Sequence, residues 1–73
     1  MPYVIRVMNG GKPIGWVSAV DEFRQRTIVP DRDAAAIFPK FHEAGETIEQ
    51  MSAQFGDDGT WFFAEMSSFG LFG

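Results

Sequence analysis

The sequence contains no cysteine, and at 73 residues that absence constrains the fold more than any motif does. A chain this short buries only about 60% of the surface it exposes when unfolded. Small domains usually add a staple, and disulfides and thiolate metal sites are both excluded here. What remains is dense packing or self-association. The chain supplies the means for packing: eight Phe, two Trp and one Tyr, each burying about 150–250 Å² when enclosed.

The hydrophobic pattern predicts where that packing occurs. Residues 2–8, PYVIRVM, alternate and are rich in β-branched and aromatic types, which predicts a strand. Tyr3, Ile5 and Val7 share one face, and Val4, Arg6 and Met8 share the other. The following NGGK reads as a hairpin turn, because Asn and Gly tolerate positive φ. PIGWVSAV is the returning strand, with Pro13 at its start. DEFRQR, residues 21–26, is a polar turn with Phe23 tucked in. RTIV forms a third short strand ended by Pro30. Asp31 is placed to cap a short helical turn that Pro39 stops.

The strongest periodic signal covers residues 40–55. Phe41, Ala44, Ile48, Met51 and Phe55 fall at steps of three and four, one stripe of a helix. Gly45 interrupts it at a cost of about 1 kcal/mol relative to Ala, and a close approach to the sheet would explain its presence. Gly56 is the expected C-cap. A last strand, TWFFAEM, follows. It places Phe62, Ala64 and Met66 under the helix and Trp61 and Phe63 on the opposite face. The expected architecture is therefore α+β: a small antiparallel or mixed sheet of about four strands, with one main helix packed on one face. Residues 1–66 form a single domain, and residues 67–73, SSFGLFG, form an apolar tail.

Charge is unevenly divided. Residues 1–32 hold five basic and three acidic side chains, whereas residues 33–73 hold one basic and seven acidic, and the net charge is −4. An acidic chain is a poor general ligand for nucleic acid, whose affinity comes largely from neutralised phosphates. A nucleic-acid role would have to rest on Arg24, Arg26 and Arg32 alone and ranks last. No apolar run reaches the roughly 18 residues of a membrane span, and MPYVIRVMNG lacks the features of a signal peptide. These observations lead us to expect a cytoplasmic protein.

Motifs for chemistry are sparse. VMNGGKPIGW holds three glycines around Lys12, but no Ser or Thr follows the Lys and no helix follows the loop, so it is a turn and not a phosphate loop. His42 and Glu46 lie one helical turn apart, too few ligands for a closed metal site. Asp57-Asp58-Gly59 lacks the ligand spacing of a calcium loop. Ser52, Ser67 and Ser68 have no evident base. The expectation is a non-enzyme without a cofactor. Two features remain as contact surfaces: the aromatic pair Trp61 and Phe63 beside Arg6, and an acidic set made of Glu43, Glu46, Glu49, Asp57 and Asp58. Trp and Arg dominate interface hot spots. An acidic row either steers the chain to a basic partner surface or is a solvated helix face.

Tyr3-Val4-Ile5, then Ala35 with Phe38, then Glu43-Ala44, spread over residues 2–53, resemble small proteins of phages and mobile elements with a strand-hairpin-helix layout. Such proteins often bind and inhibit a host protein, and anti-CRISPR proteins are one class among them. The resemblance implies a host cytoplasmic location and stoichiometric blocking of a host complex with a basic surface. It assigns no functional residue. The alternative is a homodimeric assembly protein that pairs through its open sheet face.

Overall fold

The computed structural model describes residues 2–56 and 59–66. Strand β1 (Tyr3–Asn9) turns into β2 (Lys12–Val17), followed by a two-residue β3 (Ile28–Val29) and a 3-10 turn at Arg32–Ala34. Helix α1 (Phe41–Phe55) and β4 (Thr60–Met66) complete the order. All strand pairs are antiparallel, in the order β3-β2-β1-β4. The fold is thus the expected small α+β arrangement, with the sheet antiparallel throughout.

Local chemistry accounts for the connections. At the first hairpin, Gly10 and Gly11 both take positive φ, +59° and +83°. That is the left-handed pair which matches strand twist. The turn is therefore centred on Gly-Gly, and Asn9 remains in β1 opposite Lys12. Pairing runs Val7 to Gly15 and then Met8 to Pro13, so Ile14 is an extra residue on β2, a bulge. The segment before α1 closes against the sheet: Tyr3 and Phe38 exchange two backbone hydrogen bonds of 2.8 Å. Asp31 caps the 3-10 turn by accepting from the Asp33 N–H at 3.0 Å, as its sequence position predicts.

The core lies between α1 and one sheet face. Ile5, Val7, Val17, Phe38, Ala44, Met51 and Phe62 are buried there. The helical stripe is narrower than the periodicity indicates. Phe41 and Phe55, at its two ends, are exposed, while Thr47 is buried in their place. Thr47 is tolerated because its hydroxyl donates to the Glu43 carbonyl at 3.0 Å, one turn back along the same helix. Phe41 instead meets the Tyr3 ring edge-on, at 5.3 Å between centroids.

Three further expectations are corrected. Phe23 is 73% exposed, because its loop is held by hydrogen bonds to Asp21 and not by apolar packing. Met66 is exposed because it is the last residue of a strand at the edge of the described sheet. Gly45 makes no close approach: a Cβ built there would meet nothing within 4 Å.

Candidate protein-binding face

Strand alternation and register assemble the second sheet face. Across β2, β1 and β4, Trp16 lies opposite Arg6, and Arg6 lies opposite Phe63. One step along, Met8 lies opposite Trp61. In the other direction Val4 lies opposite Glu65. Directly opposed residues share a face, so these side chains form one surface, on the side away from α1.

Arg6 is at the centre of this surface. Its Nη2 donates to Glu65 Oε1 at 3.1 Å, in an ion pair with both side chains more than one-third exposed. Its guanidinium carbon also sits 4.8 Å from the centre of the Trp16 ring. Arg32, from the 3-10 turn, approaches the same ring at 5.4 Å. Trp16 is thus contacted by two cations, each favoured by the negative face of the indole. Val4 is buried at this end of the face.

The other end is open. Trp61 is 61% exposed and Phe63 48% exposed. Their rings are nearly parallel, 7° apart with centroids separated by 6.5 Å. With Met8 and Gly11 they line a shallow hollow of about 300 Å³. Two large aromatics and a methionine beside an arginine form the residue set enriched at protein interfaces.

The structure therefore brings Trp61, Phe63 and Arg6 together and leaves the helix glutamates elsewhere. Glu43, Glu46 and Glu49 belong to α1, on the other layer of the molecule. Glu46 and Glu49 are exposed, and Glu43 is half-buried in the first turn, where a carboxylate favours the helix dipole. Asp57, Asp58 and the tail 67–73 lie outside the described residues. His42 is exposed on α1, and among the described residues no three His, Asp or Glu side chains gather as a metal site. No described helix is long and apolar enough to cross a membrane.

Two members of the face escaped the sequence reading. Trp16 lies unmarked within PIGWVSAV, and Glu65 within TWFFAEM. The pairing register makes both partners of Arg6, and register across strands remote in sequence carries no local signal. Comparison with protein-family models, curated proteins and solved structures finds no match.

Proposed function

We propose that this chain is a non-enzymatic protein-binding inhibitor, of the kind carried by phages and mobile elements, with the open sheet face as its contact surface. An anti-CRISPR that blocks a host complex stoichiometrically is its concrete form. The observation that carries the reading is the exposed, parallel pair Trp61 and Phe63 beside Met8, on a sheet face that α1 does not cover. Aromatic anchors of this kind supply most of the energy in typical interfaces, while surrounding contacts mainly exclude water. The acidic row on α1 lies on the other layer. In this reading Glu43, Glu46 and Glu49 act through their field, speeding approach to a basic surface without sharing the aromatic contact.

The test is capture from host lysate by the immobilised chain, read by mass spectrometry, against a folded Trp61→Ala/Phe63→Ala variant. A defined complex captured at one-to-one stoichiometry and lost in the variant supports the reading. An interference assay in cells then checks whether the captured complex is inhibited. Capture that the double variant retains would reject this face as the contact surface.

A homodimer is the second reading, and one observation favours it. Among the described residues β4 is an edge strand of seven residues, pairs with β1 without a bulge, and contains no Pro or Lys, Glu65 being its one charged residue and already paired with Arg6. Natural edges usually carry such protection. Two copies of β4 paired antiparallel about Phe63 would keep their core and open faces continuous. Sedimentation that reports a dimer, lost on Phe63→Lys, would move the assignment to this reading.

A further inference from the structure

A second concave site lies away from the open sheet face, between the loop after β2 and the C-terminal half of α1. It is a cleft of about 500 Å³, within the roughly 300–1,000 Å³ usual for small-molecule sites. Two of its lining residues are Arg24 and Arg26. No Asp or Glu lines it among the described residues, although the chain as a whole is acidic. The carbonyl end of α1 is nearby and carries about half a negative charge. Among the described lining residues, two full positive charges outweigh it.

Both arginines are positioned by the fold. Arg26 Nη1 donates to the Ser18 carbonyl at 3.0 Å, and its guanidinium lies 5.1 Å from the centre of the Phe38 ring. Its other N–H groups stay available, since a guanidinium has five. Arg24 has φ +60°, a left-handed conformation uncommon outside glycine. Asp21 imposes it. The Asp21 carboxylate accepts from the Phe23 and Gln25 N–H groups at 2.8 and 2.9 Å. The Asp21 carbonyl accepts from the Arg24 N–H at 3.0 Å, and the Asp21 N–H donates to the Gln25 carbonyl at 2.9 Å. Four hydrogen bonds thus fix a five-residue loop that sets Arg24 at the rim.

The rest of the lining defines the ligand further. Gln25, Gln50 and Gln54 also line the cleft. An amide offers both acceptor and donors, whereas a bare anion needs donors only. Val20 and Ala53, both exposed, add apolar wall, against which a flat ring can lie. A guanidinium pair for an anion, amides for a heterocycle edge and an apolar wall for its face describe one class of molecule.

We infer that this cleft binds a nucleoside monophosphate, with Arg24 and Arg26 on the phosphate and the three glutamines on the base. The inference does not depend on the open sheet face and stands or falls separately from it. Guanidinium suits the phosphate because its planar fork donates two parallel hydrogen bonds.

The test is calorimetric titration of the full chain with AMP and UMP at low salt, alongside inorganic phosphate and a short poly-glutamate peptide. Amide NMR spectra are recorded in parallel. The decisive variant is Arg24→Gly, which removes the guanidinium while keeping a residue for which positive φ carries no penalty. The expected result is binding of at least one nucleotide, with shifts at Arg24, Gln50 and Gln54. Arg24→Gly should weaken it about tenfold, as loss of a charge-assisted hydrogen bond does. Inorganic phosphate should bind more weakly than the nucleotide. Phosphate binding as tight as the nucleotide would overturn the inference, because the amides and apolar wall would then contribute nothing. So would a response to poly-glutamate alone, undiminished binding by Arg24→Gly, or no nucleotide binding by the wild type.

Discussion

Arg6 and Trp16 face each other across β1 and β2, with the guanidinium 4.8 Å from the indole centre, while Glu65 on β4 binds the same guanidinium at 3.1 Å. One side chain therefore ties three strands together on the face that α1 leaves uncovered. Because Phe63 is the β4 residue directly opposite Arg6, this tie also fixes the strand that presents the aromatic pair.

The two partners of Arg6 should differ in their contribution. The ion pair is more than one-third exposed on each side, and such pairs contribute about 0.2–1 kcal/mol after screening by water and salt. Glu65→Gln should therefore cost less than about 1 kcal/mol. Arg6→Ala removes the ion pair, the stacking on Trp16 and the packing of the alkyl stem, and should cost about 1–2 kcal/mol. Denaturant midpoints at unchanged slope measure both. A Glu65→Gln loss equal to that of Arg6→Ala would mean that Trp16 contributes nothing.

Gly15 should be irreplaceable. It sits in β2 opposite Val7, and a Cβ there would collide with the backbone carbonyl oxygen of Val29 on β3. Backbone cannot step aside as a flexible side chain can. Gly15→Ala should push β3 off the sheet or destabilise the fold by about 1–3 kcal/mol, the usual cost of overpacking. Amide exchange localises the damage: protection should fall first at Ile28 and Val29. Uniform protection and an unchanged midpoint would show that β3 is not held against Gly15.

The element order was legible in the sequence because local periodicity and turn chemistry encode it. Alternation in β1 and β4 assigns Ile5, Val7 and Phe62 to the core and Trp61 and Phe63 to the other face, as observed. Asp31 and Gly56 mark an end of the 3-10 turn and of α1. Three-dimensional partnership was not legible. Thr47 is buried because its own helix satisfies its hydroxyl, an event that hydropathy does not register. Arg6 meets Glu65 over a separation of 59 residues. The cleft at Arg24 depends on the meeting of a loop and a helix end, and neither segment alone predicts it. The acidic row was legible as a row, but its separation from the aromatic pair follows from which layer α1 occupies.

Trp61 and Phe63 should matter to binding far more than to folding. Trp61 is largely and Phe63 about half exposed, and their contact with each other is worth about 0.5–1.5 kcal/mol. The double variant Trp61→Ala/Phe63→Ala should lose no more than about that amount of stability. Met51→Ala, at a fully buried position under the sheet, should lose about 2–5 kcal/mol. Thermal or denaturant unfolding of the two variants side by side makes the comparison. A double variant as unstable as Met51→Ala would place the aromatic pair in the core and remove the basis for a binding face.

Gly45 offers the opposite kind of change, one that should strengthen the fold. It lies inside α1 between Ala44, which is buried, and Glu46, which is exposed. No neighbour approaches within 4 Å of the space a Cβ would take, and its backbone is helical. Nothing in the packing requires glycine, so its effect is the entropic one: more freedom to lose on folding than any other residue has. Gly45→Ala should stabilise the chain by about 0.5–1 kcal/mol, seen as a higher denaturant midpoint with the same slope. In a domain of this size that is a shift of several degrees in Tm. The variant also discriminates between functional uses of the helix. If α1 served only to cover the sheet, Gly45→Ala should leave partner capture intact while raising stability. A stabilised variant that no longer captured its partner would show that the space above Gly45 is filled in the complex, and would bring the helix layer into the interface.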